Sequence, residues 1–462
     1  MSQLEDIGAW IESVLPDLLA EHRVPAASVA VMLNGHIFAT ARGLLSKATK
    51  VEATADAVFQ IGSITKLWTT SLAMQLVDEG KLGLDDPVRT HVPEFKLADK
   101  QASATVTVRQ LMTHTSGFGG DVFIDTGYGD DCVEKYVTAL ADQEQMFAPG
   151  KYYSYNNAGF CVLGRIIEVL RGKSFDSCLN EYLVEPLKLS HTATSPYAAI
   201  LHRAAVGHVR SDEQQEPKPT STWALQRSTG PAGAMFAMSA SDLMAFAKMH
   251  LDGGLGPTGA RVLSERSTQA MQAAQIALPR IGTCDEACGL SWAIHDLEGG
   301  GRVIGHNGGT IGQGAFFRMA PEHNLAIALL ANGGNMGNVW RPIYSRVLRD
   351  LAGLTAPREA VPDPSASTPD LSRFVGKYSN AAEDCLVRVD EGGRIMIDFA
   401  PKGLGAELGG QPETIEMLPH SDNALISAKR HYGAHFVVAF LGDHEGTKRY
   451  MYDSRMARRV SK

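Results

Sequence analysis

What this chain lacks narrows its reading first. Nowhere in its 462 residues is there an apolar run near the roughly 20 residues that a membrane-spanning helix needs. Positive charge is not in excess: 43 Lys and Arg stand against 51 Asp and Glu, for a net charge of −8. That leaves no basic footprint for nucleic acid or an anionic membrane surface, and neither is expected as a partner. Cysteine is scarce, with six residues at positions 132, 161, 178, 284, 288 and 385. Only Cys284 and Cys288 are close, and no histidine stands beside them at zinc-ligand spacing, so no metal and no cofactor is expected. All six read as reduced thiols, with a Cys284–Cys288 bridge left open. The N-terminus, Met1-Ser2-Gln3-Leu4-Glu5-Asp6, is polar and acidic and has no cationic segment followed by an apolar one. Without a visible export signal, a cytoplasmic location is expected. Internal repeats are absent, and the only biased tract is a short Pro/Ser/Ala stretch.

That stretch divides the chain. Residues 1–354 alternate helical and strand patterns, 355–369 form a linker from Thr355-Ala356-Pro357 to Pro369, and 370–462 show no helical period. In the first part, residues 3–22 are an amphipathic helix with Leu4, Ile7, Ile11, Val14 and Leu18 on one side. Ala27–Leu33 and His36–Arg42 flank Asn34-Gly35, a type I′ hairpin signal. Short helices are expected at Val108–Met112, Asn157–Leu170 and from Ser239 to about His250, and an irregular loop over 118–145. Strands are expected at Gly289–His295, Val303–His306, Gly314–Met319 and Leu325–Ala331, with a closing helix at Val339–Leu351. These amount to an antiparallel sheet flanked by helices from both chain ends, an α+β architecture. After the linker, six short alternating runs predict a small β-barrel: Phe374–Tyr378, Leu386–Val389, Ile395–Phe399, Thr414–Leu418, Phe436–Leu441 and Arg449–Tyr452.

The chemistry centres on Gly62-Ser63-Ile64-Thr65-Lys66-Leu67-Trp68, where a strand at Val58–Ile61 gives way to a helix that stops at Gly80. Ser63 stands at the helix start, and Lys66 one turn later on the same face. A lysine kept neutral there by burial, a second cation or a hydrogen-bond network can take the Ser63 proton. Taken alone, Ser-x-x-Lys is more often a capped helix with a solvated lysine. Two further segments supply partners. Tyr155-Asn156-Asn157, at a second helix start, offers a phenol for proton relay and a carboxamide at Asn157 to hold Lys66 and a substrate amide. Gly305-His306-Asn307-Gly308-Gly309, on a strand, permits close approach of a ligand backbone and turns the Gly309 N–H toward that of Ser63 as an oxyanion hole. Each alone is consistent with structure only: a buried tyrosine, an asparagine cap, a strand bulge.

Together and in this order the three motifs resemble the serine β-lactamase and penicillin-binding-protein superfamily, in its class C-like branch. Leu111-Met112-Thr113-His114-Thr115-Ser116-Gly117 and Gly289-Leu290-Ser291-Trp292 are similar to that branch too, so the likeness runs over roughly residues 8–350. The resemblance implies Ser63 as nucleophile, Lys66 as general base, Tyr155 as proton shuttle and Asn157 as a positioning group. It implies His306 as support for the shuttle, and the N–H groups of Ser63 and Gly309 as oxyanion donors. Ser421-Asp422-Asn423 imitates a class A motif but lies in the β-rich tail, where it reads as a turn. The family's usual Gly-Gly pair stands here as Gly233-Ala234.

The resemblance also implies a β-lactamase/transpeptidase-like catalytic domain followed by a lipocalin-like barrel, as in stand-alone penicillin-binding-protein-type thioesterases. Such proteins take a nonribosomal peptide from a carrier-protein thioester and close it into a macrolactam. The expected partner is then a peptidyl thioester on the carrier of a peptide synthetase, with a D-residue at the acyl position. In the barrel, Arg455 is the candidate cation for a substrate carboxylate or the carrier side, against the plainer reading of a solvated strand-end arginine. The alternatives are a cytosolic esterase, a D-aminopeptidase or a β-lactamase-like hydrolase, and a catalytically idle binding protein, against which the complete motif set argues.

Overall fold

The computed structural model describes residues 3–210, 215–279, 281, 286–297, 300–407, 409–431 and 433–461. Its spine is a nine-stranded antiparallel sheet. From edge to edge the strands are Val51–Glu52, His36–Ser46, Ala26–Leu33, Leu325–Ala331, Gln313–Ala320, Arg302–Thr310, Ala293–Asp296, Ala287–Cys288 and Ile276–Ala277. The N-terminal hairpin therefore joins the C-terminal strands at the centre, with Val29 opposite Leu329 and Val31 opposite Ile327. Because side chains alternate along a strand, Val29 and Val31 point to one face and Ala30 and Met32 to the other, and all four are buried. A strand covered on both faces reads as the nearly continuous apolar run Ala26–Leu33, broken only by Ser28.

On one face, the Gln3–Glu21 and Met336–Ala352 helices lay Ile7, Ile11 and Leu15 and Val339, Ile343 and Val347 against Val29, Val31, Ile327 and Leu329. On the other face lies a larger helical layer built round Thr65–Asp78, whose side chains from Thr65 to Gln75 are all buried. Trp68 anchors that helix, stacked on Phe246 with ring centroids 4.0 Å apart and edge-on to Phe236 at 5.1 Å. A helix buried on all sides shows no amphipathic stripe.

The structure departs from the sequence reading in places. The 118–145 loop contains a helix, Cys132–Thr138, pinned by the Tyr136 hydroxyl donating to the Val122 carbonyl at 2.6 Å. Gly289–Trp292 is a turn with Ser291 at φ 71°, and the strand starts only at Ala293. Cys284 lies outside the described residues, and so does the question of its pairing.

After Ala352 no helix or strand of more than a turn occurs until Gly376. From there to Ser461, eight antiparallel strands close into an up-and-down barrel, the first (Gly376–Ser379) pairing with the last (Met456–Ser461). Two of these strands, Ala424–Ser427 and Met456–Ser461, were not foreseen. Ser421-Asp422-Asn423 is the turn between the fourth and fifth. Tyr378, Cys385, Val387, Ile397, Met417, Val438 and Phe440 fill the barrel.

The barrel seats on the segment that leads into Tyr155. Phe147, Tyr152 and Tyr153 pack against Ile426, Tyr450, Tyr452 and Met456. Along the seam, the Tyr450 hydroxyl donates to the Met146 carbonyl at 3.0 Å, the Met456 N–H to Ser154 Oγ at 3.0 Å, and the Tyr155 N–H to the Ser454 carbonyl at 2.9 Å.

Candidate active site

Ser63 sits in a single 3₁₀ turn, Gly62–Ile64, placed before the α-helix proper begins at Thr65. No side chain caps it; Ile64 N–H bonds back to the Ile61 carbonyl at 3.2 Å. Backbone from two other elements closes on the turn. A Cβ on Gly308 would overlap the Ile61 carbonyl oxygen, one on Gly233 would overlap that of Gly62, and one on Gly62 would meet the Gly309 nitrogen at 2.5 Å. The Ser63 turn is thus pinched between the Arg302–Thr310 strand and the Arg227–Ala232 turn, at positions where only glycine fits. Gly233 of the Gly233-Ala234 pair is one jaw of this clamp, while Ala234 lines the cleft.

Lys66 is fully buried. Its Nζ lies 3.0 Å from Ser63 Oγ and 2.7 Å from the Ala232 carbonyl oxygen, and 4.9 Å from the centroid of the Tyr155 ring. Burial pulls its pKa down from the usual lysine range to about 7, against the opposing pull of Cys161. Near neutral pH a large fraction of Lys66 is therefore an uncharged amine next to the serine hydroxyl.

Tyr155 is within hydrogen-bonding reach of Ser63, and burial pushes its phenol well above the usual tyrosine range. It stays protonated until another group draws on its proton. His114 stacks on its ring at 4.4 Å, and His114 Nδ1 accepts the Asn156 N–H at 2.9 Å. Burial and the nearby cations hold His114 far below the usual imidazole range, so it is a neutral acceptor that fixes the backbone at Tyr155-Asn156. Asn156 is the helix cap: its Oδ1 accepts the Gly159 N–H at 2.7 Å.

Asn157 departs from expectation. Its Nδ2 donates 2.8 Å to Asp121 Oδ1, and the oxygen partner of Lys66 besides Ser63 is the Ala232 carbonyl. Asp121 is also the ion-pair partner of Arg455. The guanidinium places two nitrogens on that carboxylate, and its carbon lies 5.1 Å from the Tyr155 ring centroid. Arg455 is thus no solvated strand-end arginine: its side chain is 33% exposed and that of Asp121 only 10%. His306, on its strand, lies 6.1 Å from the Tyr155 ring, with Nδ1 turned to the Asn307 carbonyl.

One cleft of about 250 Å³ is lined by Ser63, Tyr155, Asn157, Gly309 and Arg455 and also by Leu404 of the barrel, while Lys66, Asp121 and His306 stand behind that lining. Asp121, the Ala232 carbonyl and Leu404 were not singled out from sequence; none lies in a motif. Among the described residues, no group of three or more His, Cys, Asp or Glu side chains is placed to hold a metal ion, and no helix is long and apolar enough to cross a membrane.

Known proteins place this geometry. The β-lactamase family profile matches residues 11–343. The chain belongs to the β-lactamase family. With it comes the serine hydrolase and acyltransferase superfamily, penicillin-binding proteins included. The chain is 39% identical to Penicillin-binding protein 4 of Amycolatopsis lactamdurans over 364 residues, covering 78% of this chain and 94% of that one. The crystal structure of SurE matches 99% of both chains, with a TM-score of 0.80 and 27% identity, so the likeness takes in the barrel. SurE has also been solved with D-Leu, at a TM-score of 0.78 and 26% identity to this chain. A class C β-lactamase matches 77% of this chain with a TM-score of 0.62 and 21% identity, a likeness of fold.

Proposed function

We propose that this chain is a serine acyltransferase that takes a peptidyl thioester from a carrier protein, forms an acyl-enzyme on Ser63 and releases a head-to-tail macrolactam. The observation that carries this reading is Arg455: the barrel delivers a guanidinium into the Ser63 cleft, and SurE, solved with D-Leu, shares the whole two-part architecture.

Each group has a task. Neutral Lys66 takes the Ser63 proton as Oγ attacks the thioester carbonyl carbon. The N–H groups of Ser63 and Gly309 hold the resulting oxyanion. The carbon–sulfur bond breaks, and the leaving thiolate takes back a proton relayed from Lys66 through Tyr155. The peptide's own amine then attacks the ester carbonyl; its surplus proton returns through Tyr155 to Ser63 as the ester bond breaks. Asp121, itself held by Asn157, fixes Arg455 over Tyr155, where the guanidinium offers its charge to the substrate. His306 borders the shuttle and orients the substrate.

A second reading, hydrolysis of a small ester or D-amino-acid amide, draws support from the cleft volume of about 250 Å³, below the range usual for drug-sized ligands. On the first reading only the terminal residue enters the cleft, and the rest of the peptide folds back outside it. One experiment separates them. A peptidyl thioester with a free N-terminus should yield a ring, and its N-acetylated twin only slow linear acid. Equal rates and linear acid from both would leave the hydrolase reading.

A further inference from the structure

A second hollow, of about 630 Å³, lies where the barrel meets the catalytic part. Lys151, Arg449 and Arg458 line it together with Phe147, Tyr450 and Asp99. Three cations thus line one hollow of a chain of net charge −8, and among the described residues none of the three has a carboxylate partner. Arginines elsewhere are held two-pronged by carboxylates, as Arg109 is by Asp85 and Arg171 by Glu79. Arg458 gives one N–H to the Gln145 carbonyl, while its buried Nε has no hydrogen-bond partner. Lys151 and Arg449 are exposed and lie over the Tyr152 and Tyr450 rings at 5.2 and 5.7 Å. The one carboxylate in the lining is already engaged: Asp99 Oδ1 accepts the Gln101 and Ala102 N–H groups at 2.8 and 2.9 Å.

Like charges lining one hollow repel, and an anion held there relieves that repulsion. The hollow is also tied to the Ser63 cleft through short lengths of chain. Lys151 precedes Tyr155 by four residues and Arg458 follows Arg455 by three, so each backbone path is at most about 14 Å at ~3.5 Å per residue.

We propose that this hollow binds an organic phosphate, and that its occupant during turnover is the phosphodiester of the pantetheine arm on which a carrier protein presents its thioester. The assignment of the arm rests on the thioester reading above. The phosphate takes the cations, the aliphatic arm lies along Phe147 and Tyr450, and the sulfur end reaches toward Ser63.

The test is calorimetry on the full-length protein with 4′-phosphopantetheine, pantetheine and inorganic phosphate. A Lys151→Gln/Arg449→Gln variant, altered only at exposed positions, is measured alongside. Phosphopantetheine should bind at least about tenfold more tightly than either other probe, as expected for charge-assisted contacts joined to apolar ones, and the variant should lose that margin. Salt should weaken the binding. Turnover of a short thioester without phosphate should be unchanged in the variant, while KM for a carrier-loaded thioester rises. Equal binding of pantetheine and phosphopantetheine, or an unaffected variant, overturns the site. Inorganic phosphate binding as tightly as phosphopantetheine marks an adventitious ion only and overturns the arm. If the cyclase reading alone is wrong, turnover yields linear acid while the phosphopantetheine margin persists.

Discussion

Arg455 and Asp121, 334 residues apart in the chain, form an ion pair beside the Tyr155 ring. Arg455 comes from the last turn of the barrel and Asp121 from the loop beside Ser63, so the pair ties the two halves of the molecule at the reactive serine. Their charges act on Lys66 in opposite directions: Arg455 disfavours its ammonium form and Asp121 favours it.

A pH profile should show this. Lys66 is depressed to about 7, so acylation should fall as pH drops through 7 and the amine becomes charged. Asp121→Asn should move that limb to lower pH, and Arg455→Met to higher pH. The same group has a stability consequence. Between about 7 and 10.5 the unfolded lysine holds a proton that the native one lacks, so its contribution to stability rises with pH across that window. Rate profiles of kcat/KM for the wild type and both variants check the limb; coincident limbs would remove the electrostatic link.

Ser63→Ala should abolish the covalent acyl adduct seen by intact-protein mass spectrometry. Lys66→Ala and Tyr155→Phe should each cost on the order of 10² or more in turnover, as for lost general-base catalysis. Near-wild-type turnover in either variant would take that side chain out of the reaction.

Gly308→Ala should be damaging although it adds one methyl group. Its Cβ overlaps the Ile61 carbonyl, which is backbone and has no room to retreat. Overpacking of this kind costs roughly 1–3 kcal/mol, and here it also displaces the Ser63 turn. Thermal unfolding and acylation rate should both drop; a variant with native stability and rate would contradict the clamp.

A fragment ending near Leu354 should keep its helical circular dichroism but lose turnover of long thioesters. It lacks Arg455 and Leu404, and it exposes Phe147, Tyr152 and Tyr153 where the barrel sat. Full turnover of long substrates by the fragment would show the barrel to be dispensable.

The sheet, its covering helices and the three motifs were legible because each is local. Apolar content and turn chemistry announce Ala27–Leu33 and Asn34-Gly35, and Ser63 and Lys66 lie one turn apart. The Cys132–Thr138 helix was not legible: it is seven residues long, rich in β-branched residues and without a side-chain cap. Ala424–Ser427 is too short for an alternating pattern and is buried throughout, and Met456–Ser461 carries its charged residues in the sequence Ala-Arg-Arg-Val. Asp121 has no signal of its own. It gains meaning only when the barrel brings Arg455 to it, a contact that no spacing rule encodes.

The most direct test of the central claim is the product of a peptidyl thioester offered in two forms, with a D- or an L-residue at the acyl position. Water is abundant, so an amine captures the acyl-enzyme only if it is held at an effective concentration that can reach ~10⁵ M or more. The account predicts that the D-form gives mainly the ring, by mass, and that the L-form acylates Ser63 poorly. Linear acid alone from the D-form, with fast turnover of small esters, would contradict it.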